Sequence, residues 1–76
     1  MEAGMYEVIA LDRKGYSVES IQVKELHSAK NYARQYLNRK SVQWVQVWAH
    51  DSNGNATLHS AYTNYLGRAV QVKEID

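Results

Sequence analysis

Only one stretch of this chain repeats with the period of a helix, and it is flanked on both sides by segments that read as strands. Ala29, Tyr32, Ala33, Tyr36 and Leu37 fall at i, i+3, i+4, i+7 and i+8, the spacing of a single apolar stripe on an α-helix. Lys30, Asn31, Arg34, Gln35 and Asn38 take the other face. A helix from Leu26 to Arg39 is roughly 21 Å long, about the reach of a seven-residue strand. Its start is weakly marked, with Glu25 or Ser28 as candidate caps. Arg39 and Lys40 stand where the helix dipole favours positive charge.

Around that helix lie short runs rich in β-branched and aromatic residues, separated by turn chemistry. Met5 to Asp12 and Tyr16 to Val23 read as a hairpin closed at Gly15. Val42 to His50 and Ala56 to Tyr62 read as a second, joined through Asn53-Gly54, a strong hairpin signal. A turn at Tyr65-Leu66-Gly67 leads to a last strand from Arg68 to Ile75. The expected fold is therefore α+β, in the order β-β-α-β-β-β. An antiparallel sheet of four to five strands carries one helix on one face. With 76 residues, the chain has room for a single domain spanning residues 1–76.

The second hairpin makes a finer prediction. A two-residue Asn53-Gly54 loop places Val45 opposite Tyr62, Val47 opposite Ser60 and Ala49 opposite Leu58. The other face then carries Trp44 opposite Thr63, Gln46 opposite Ala61, Trp48 opposite His59 and His50 opposite Thr57. One helix covers one face of a sheet, so the tryptophan face is expected to be open. A loop of three or five residues shifts the register by one and reverses the assignment. The first hairpin does not decide the matter: Tyr6, Val8 and Val18 share one expected face, and Ile9, Leu11, Ile21 and Val23 the other.

Trp44 and Trp48, flanked by Gln46 and His59, are candidates for an aromatic contact surface, for protein partners or for stacked bases. The structural alternative is a second small core packed by loop residues or Met5. Lys30 and Arg34 are four residues apart on the helix, and with Lys24, Arg39 and Lys40 they form a basic surface. From Leu26 to Lys40 the chain has four basic residues and no acidic one, while the remainder has five basic and eight acidic. Such a patch suits phosphates, an acidic protein surface, or solvent alone. Formal net charge is only +1, which is small for a nucleic-acid binder.

The chain has no cysteine, which excludes disulfides and thiolate metal sites. His27, His50 and His59 lack an evident third ligand for a metal, and no cofactor motif is present. No nucleophile elbow, P-loop or paired carboxylates suggest catalysis. The expectation is a protein that is not an enzyme. No apolar run approaches a membrane span, and the N-terminus does not read as a secretory signal. A soluble, cytoplasmic setting is the simplest expectation. Asn55-Ala56-Thr57 matches a glycosylation acceptor and is read as chance in that setting.

Lys24-Glu25-Leu26-His27-Ser28-Ala29-Lys30-Asn31-Tyr32-Ala33, with its Leu-x-x-Ala-Lys-x-x-Ala helix opening, resembles the strand-to-helix passage of many small β-β-α-β-β-β proteins. Some of these are phage-encoded, including certain anti-CRISPR inhibitors. The resemblance implies a stand-alone binding protein that occludes a host protein or complex, in the host cytoplasm. It transfers no functional residue. On that reading Trp44, Trp48 and His59 form one partner-binding surface and Lys30 and Arg34 a second. The alternatives are a nucleic-acid-binding module using the basic helix face, and a structural homodimer.

Overall fold

A computed structural model describes residues 4–65 and 68–74. The elements are β1 (Met5–Leu11), β2 (Ser17–Val23), α1 (Leu26–Leu37), β3 (Trp44–His50), β4 (Ala56–Tyr65) and β5 (Arg68–Glu74). The strands form one antiparallel sheet in the order β2-β1-β3-β4-β5, with α1 packed on one face. This is the α+β arrangement that the sequence pattern predicts. Leu66, Gly67 and Ile75, part of the expected turn and last strand, lie outside the described residues.

The helix stripe is the expected one. Ala29, Ala33, Tyr36 and Leu37 are buried, and Tyr32 packs beside them. From the sheet, Val8, Ala10, Val45 and Val47 complete the seam, and Val42 closes one end from the loop before β3. Two alanines on the helix facing alanine and valine on the sheet allow the backbones to approach closely. Ala33 is 1 % exposed, so its site has no room for a larger group.

The helix starts at Leu26 as expected, and its far end differs. Ser28 lies inside the first turn, and Glu25 is the N-cap residue but makes no side-chain cap bond. At the other end α1 stops at Leu37, two residues early. Asn38 and Arg39 donate backbone bonds to Gln35 and Tyr36 in a tightened last turn. The Leu37 carbonyl accepts Nδ2 of Asn64, at 3.0 Å, from β4. A sheet residue thus satisfies a carbonyl that a longer helix would have satisfied internally. Gln43 reinforces this corner through bonds to the Asn64 carbonyl and to Thr63.

Both hairpin tips use the same device. Asp12 Oδ1 accepts the amides of Lys14 and Tyr16, and Asp51 Oδ1 those of Asn53 and Asn55. Gly15 and Gly54 sit at φ 87° and 85°. Asp51 pairs with Asn55 across the tip through an amide-to-carbonyl bond of 3.0 Å. The second loop therefore has three residues, Ser52, Asn53 and Gly54, not the expected two. The Asn55 amide, then the Asn55 side chain, hold the Asp51 carboxyl below its usual range.

A three-residue loop would by itself reverse the faces of the hairpin, yet the tryptophan face remains where the two-residue count places it. The reason is a β-bulge. Val47 pairs with Ser60 and Trp48 with Leu58, so His59 is an extra residue on β4. Loop and bulge each shift the register by one, and the shifts cancel beyond the bulge. Trp44 opposite Thr63, Val45 opposite Tyr62, Gln46 opposite Ala61 and Val47 opposite Ser60 all hold. Nearer the tip the expected pairs are replaced. Trp48 faces Leu58, Ala49 faces Thr57 and His50 faces Ala56.

Val18 is likewise extra on β2, and Val72 on β5. In the first hairpin Ile21 pairs with Val8 and Val23 with Tyr6. Both therefore join the helix side, correcting their expected grouping with Ile9 and Leu11.

Two substitutions test this description. Gly54→Ala meets nothing within 4 Å, so its cost is the left-handed backbone alone, about 1 kcal/mol. Urea unfolding measures it, and an unchanged midpoint would contradict the positive φ. Ala33→Leu overpacks the helix seam and is expected to cost about 1–3 kcal/mol by the same measurement.

Candidate functional site

The strand alternation that buries Val45 and Val47 beneath the helix turns Trp44, Gln46, Trp48 and His50 to the opposite, uncovered face. The register with β1 sets Leu11 beside Trp44, Ile9 beside Gln46, Glu7 beside Trp48 and Met5 beside His50. On the other flank β4 supplies Thr63, Ala61, Leu58 and Ala56. Val70 of β5 pairs with Thr63 and extends the top row. Trp44 and Val70 are each 38 % exposed, and Ile9, Leu11, Trp48 and Leu58 are half-buried.

Polar groups on this face satisfy one another. Trp48 Nε1 donates to Gln46 Oε1 at 3.1 Å. His50 Nε2 lies 3.1 Å from Glu7 Oε1. Glu7 is the one carboxylate among the described side chains that these pairings place on the face. Among the described side chains the result is a largely apolar surface, with Trp48 inside it and Trp44 at the end where β3 begins.

His59 does not belong to it. The bulge takes it out of register with Trp48, and its ring meets Tyr6 edge to face, with centroids 6.1 Å apart. Tyr6 packs against the core beneath the helix, so the histidine reaches the covered side. There His59 Nδ1 lies 3.2 Å from Oγ of Ser60, the buried polar residue of the core. A buried hydroxyl needs such a partner. Ile9, Leu11 and Leu58 take the place that the sequence reading gave to His59. The alternation of Met5, Glu7, Ile9 and Leu11 is visible in the sequence, but their place beside β3 depends on strand order.

The basic residues are not brought into one row. Arg39 pairs with Glu19 of β2, and its guanidinium lies 5.2 Å from the Tyr36 ring centroid. The Arg39 bond is the main cause that holds the Glu19 carboxyl below its ordinary range, with a smaller contribution from Tyr36. Burial, and then Glu19, push the Tyr36 hydroxyl up. Arg39 thus ties the helix end to the sheet edge. Lys24, Arg34 and Lys40 are exposed and Lys30 is half-buried.

The three histidines are dispersed. His27 meets Asn31 along the helix, His50 meets Glu7, and His59 meets Tyr6. Among the described residues no group of three or more His, Asp or Glu side chains is placed to hold a metal ion. No described helix is long and apolar enough to cross a membrane.

The Glu19–Arg39 contact has a pH signature. A carboxyl with a lowered native pKa contributes stability above its unfolded value near 4.5 and loses it as pH falls through the native value. Urea midpoints from pH 7 to pH 3 should converge between wild type and Glu19→Gln as the acid is titrated. A constant gap across that range would show that the ion pair contributes nothing.

Compared with protein-family models, curated proteins and solved structures, the chain matches none of them.

Proposed function

We propose that this protein is a non-enzymatic protein-binding domain whose contact surface is the uncovered sheet face around Trp44 and Trp48. One observation carries the reading. Among the described residues, the covered side of the sheet contributes nothing larger than valine to the fully buried core. Both indoles, with Ile9, Leu11 and Leu58, stand on the side that the helix leaves uncovered.

Large apolar patches of this kind mark association surfaces. Tryptophan is enriched among residues that dominate binding energy, because it buries a large rigid area at low entropy cost. A protein partner also fits the charge. Stacked bases bring phosphates, and phosphates call for nearby cations. The charged group among the described side chains of this face is Glu7. Lys30 and Arg34 lie on the helix, across the sheet from the indoles.

Site-specific photo-crosslinking tests the surface. A benzophenone amino acid replacing Trp44, irradiated in extract of cells that produce the protein, should give a covalent adduct with a polypeptide. The same group at Arg34 on the helix should give several-fold less. Equal yields at the two positions, or no adduct at position 44, would remove the sheet face from consideration.

A further inference from the structure

Resting on that assignment of the contact face, we infer that its occupant is a second copy of this chain, stacked sheet on sheet about a two-fold axis that runs along β3. Four observations converge on a copy of itself.

The face is compatible with itself in charge. On its central strands, among the described side chains, Trp48 is paired with Gln46 and Glu7 with His50, and the facing β2 residues Ser20 and Gln22 are uncharged. Stacking it on its own image therefore sets few like charges against each other.

It is compatible with itself in shape. An axis along β3 lays the β1 column of one copy over the β4 column of the other. Leu11 then faces Thr63 and Ile9 faces Ala61, large against small and twice over by symmetry, while Trp44 and Trp48 meet their own images and Glu7 faces Leu58.

The size suffices. Five strands about 4.8 Å apart, each of about seven residues, outline roughly 19 by 24 Å. Two such faces cover on the order of 900 Å² before corrugation, close to the roughly 1,000 Å² that a specific interface needs.

The other routes to self-association are blunted. Both edge strands carry an extra residue, Val18 in β2 and Val72 in β5. Such bulges twist an edge away from pairing with another sheet. A chain of 76 residues without cysteine also belongs to the size class that gains stability from oligomerisation.

Sedimentation equilibrium on the whole chain is the first measurement. The expected mass is twice the 8.7 kDa monomer. Trp44→Lys, shown to be folded by circular dichroism, should weaken the dimer at least about tenfold, as loss of an aromatic anchor does. Arg34→Glu should not. A second variant avoids dependence on Trp44. With no native cysteine, Gln46→Cys supplies a single thiol close to the axis. A bis-maleimide spanning about 10 Å, the separation of stacked sheets, should link Gln46→Cys into a dimer and leave Arg34→Cys monomeric.

A wild-type chain that stays monomeric at hundreds of micromolar overturns the proposal, as does a dimer that Trp44→Lys leaves intact. If the chain is monomeric while position 44 still crosslinks to a different protein, the contact face stands and only its occupant is wrong. If neither occurs, both readings fall.

Discussion

The close approach of α1 to the sheet organises the rest of the structure. Ala29 and Ala33 face a floor of Val8, Ala10, Val45 and Val47, and all six are buried. Alanine on the helix sets small side chains against the valines and alanine of the sheet. Tyr36 and Leu37 close one end of the seam from the helix itself, and Tyr6, Tyr62, Ile21 and Val23 pack at its margins. Interiors pack at crystal-like density, so the large side chains of β3 are excluded from this side. The uncovered face is therefore rich in bulk because the covered face is tight.

The second organising feature is the pairing of each short loop with an irregularity in the strand that follows it. The Asp51 tip adds one residue to the loop expected from Asn-Gly, and His59 adds one to β4. Neither shift is harmless alone, since period-2 alternation sends every side chain to the other face after one step. Together they keep Tyr62 and Ser60 beside Val45 and Val47 and turn His59 toward the Ser60 hydroxyl. The core's buried hydroxyl and the bulge that supplies its partner are thus one device. The equivalent residues of the edge strands, Val18 and Val72, are exposed instead, at 46 % and 59 %. At an edge, the same irregularity distorts the row of backbone donors and acceptors that another strand would use.

Charge has a structural role as well as a surface one. The run from Lys30 to Lys40 looks uniformly basic along the sequence, yet the fold sets Glu19, twenty residues before Arg39, beside it. The guanidinium lies against Tyr36 and the carboxylate of β2, binding the helix end to the sheet edge. A basic run counted along the chain is therefore not a basic patch in space.

Element order, the helix stripe and the strong strand of residues 44–50 were legible from period alone, because 3.6- and 2-residue repeats report which side of an element is buried. The two Asp-x-x-Gly loops were also written there, at residues 12–15 and 51–54, although Asn53-Gly54 taken by itself suggests a shorter turn. What the sequence could not specify was strand order and the irregularities of strand pairing. The bulge at His59 is invisible in local pattern, because an extra residue is defined only against its partner strand. The neighbours of Trp44 and Trp48 were hidden for the same reason. Ile9 and Leu11 lie more than thirty residues away, and only the insertion of β1 between β2 and β3 brings them alongside. Local periodicity determined which residues turn inward; strand order and register, which are properties of the assembled sheet, decided what surface the outward ones make.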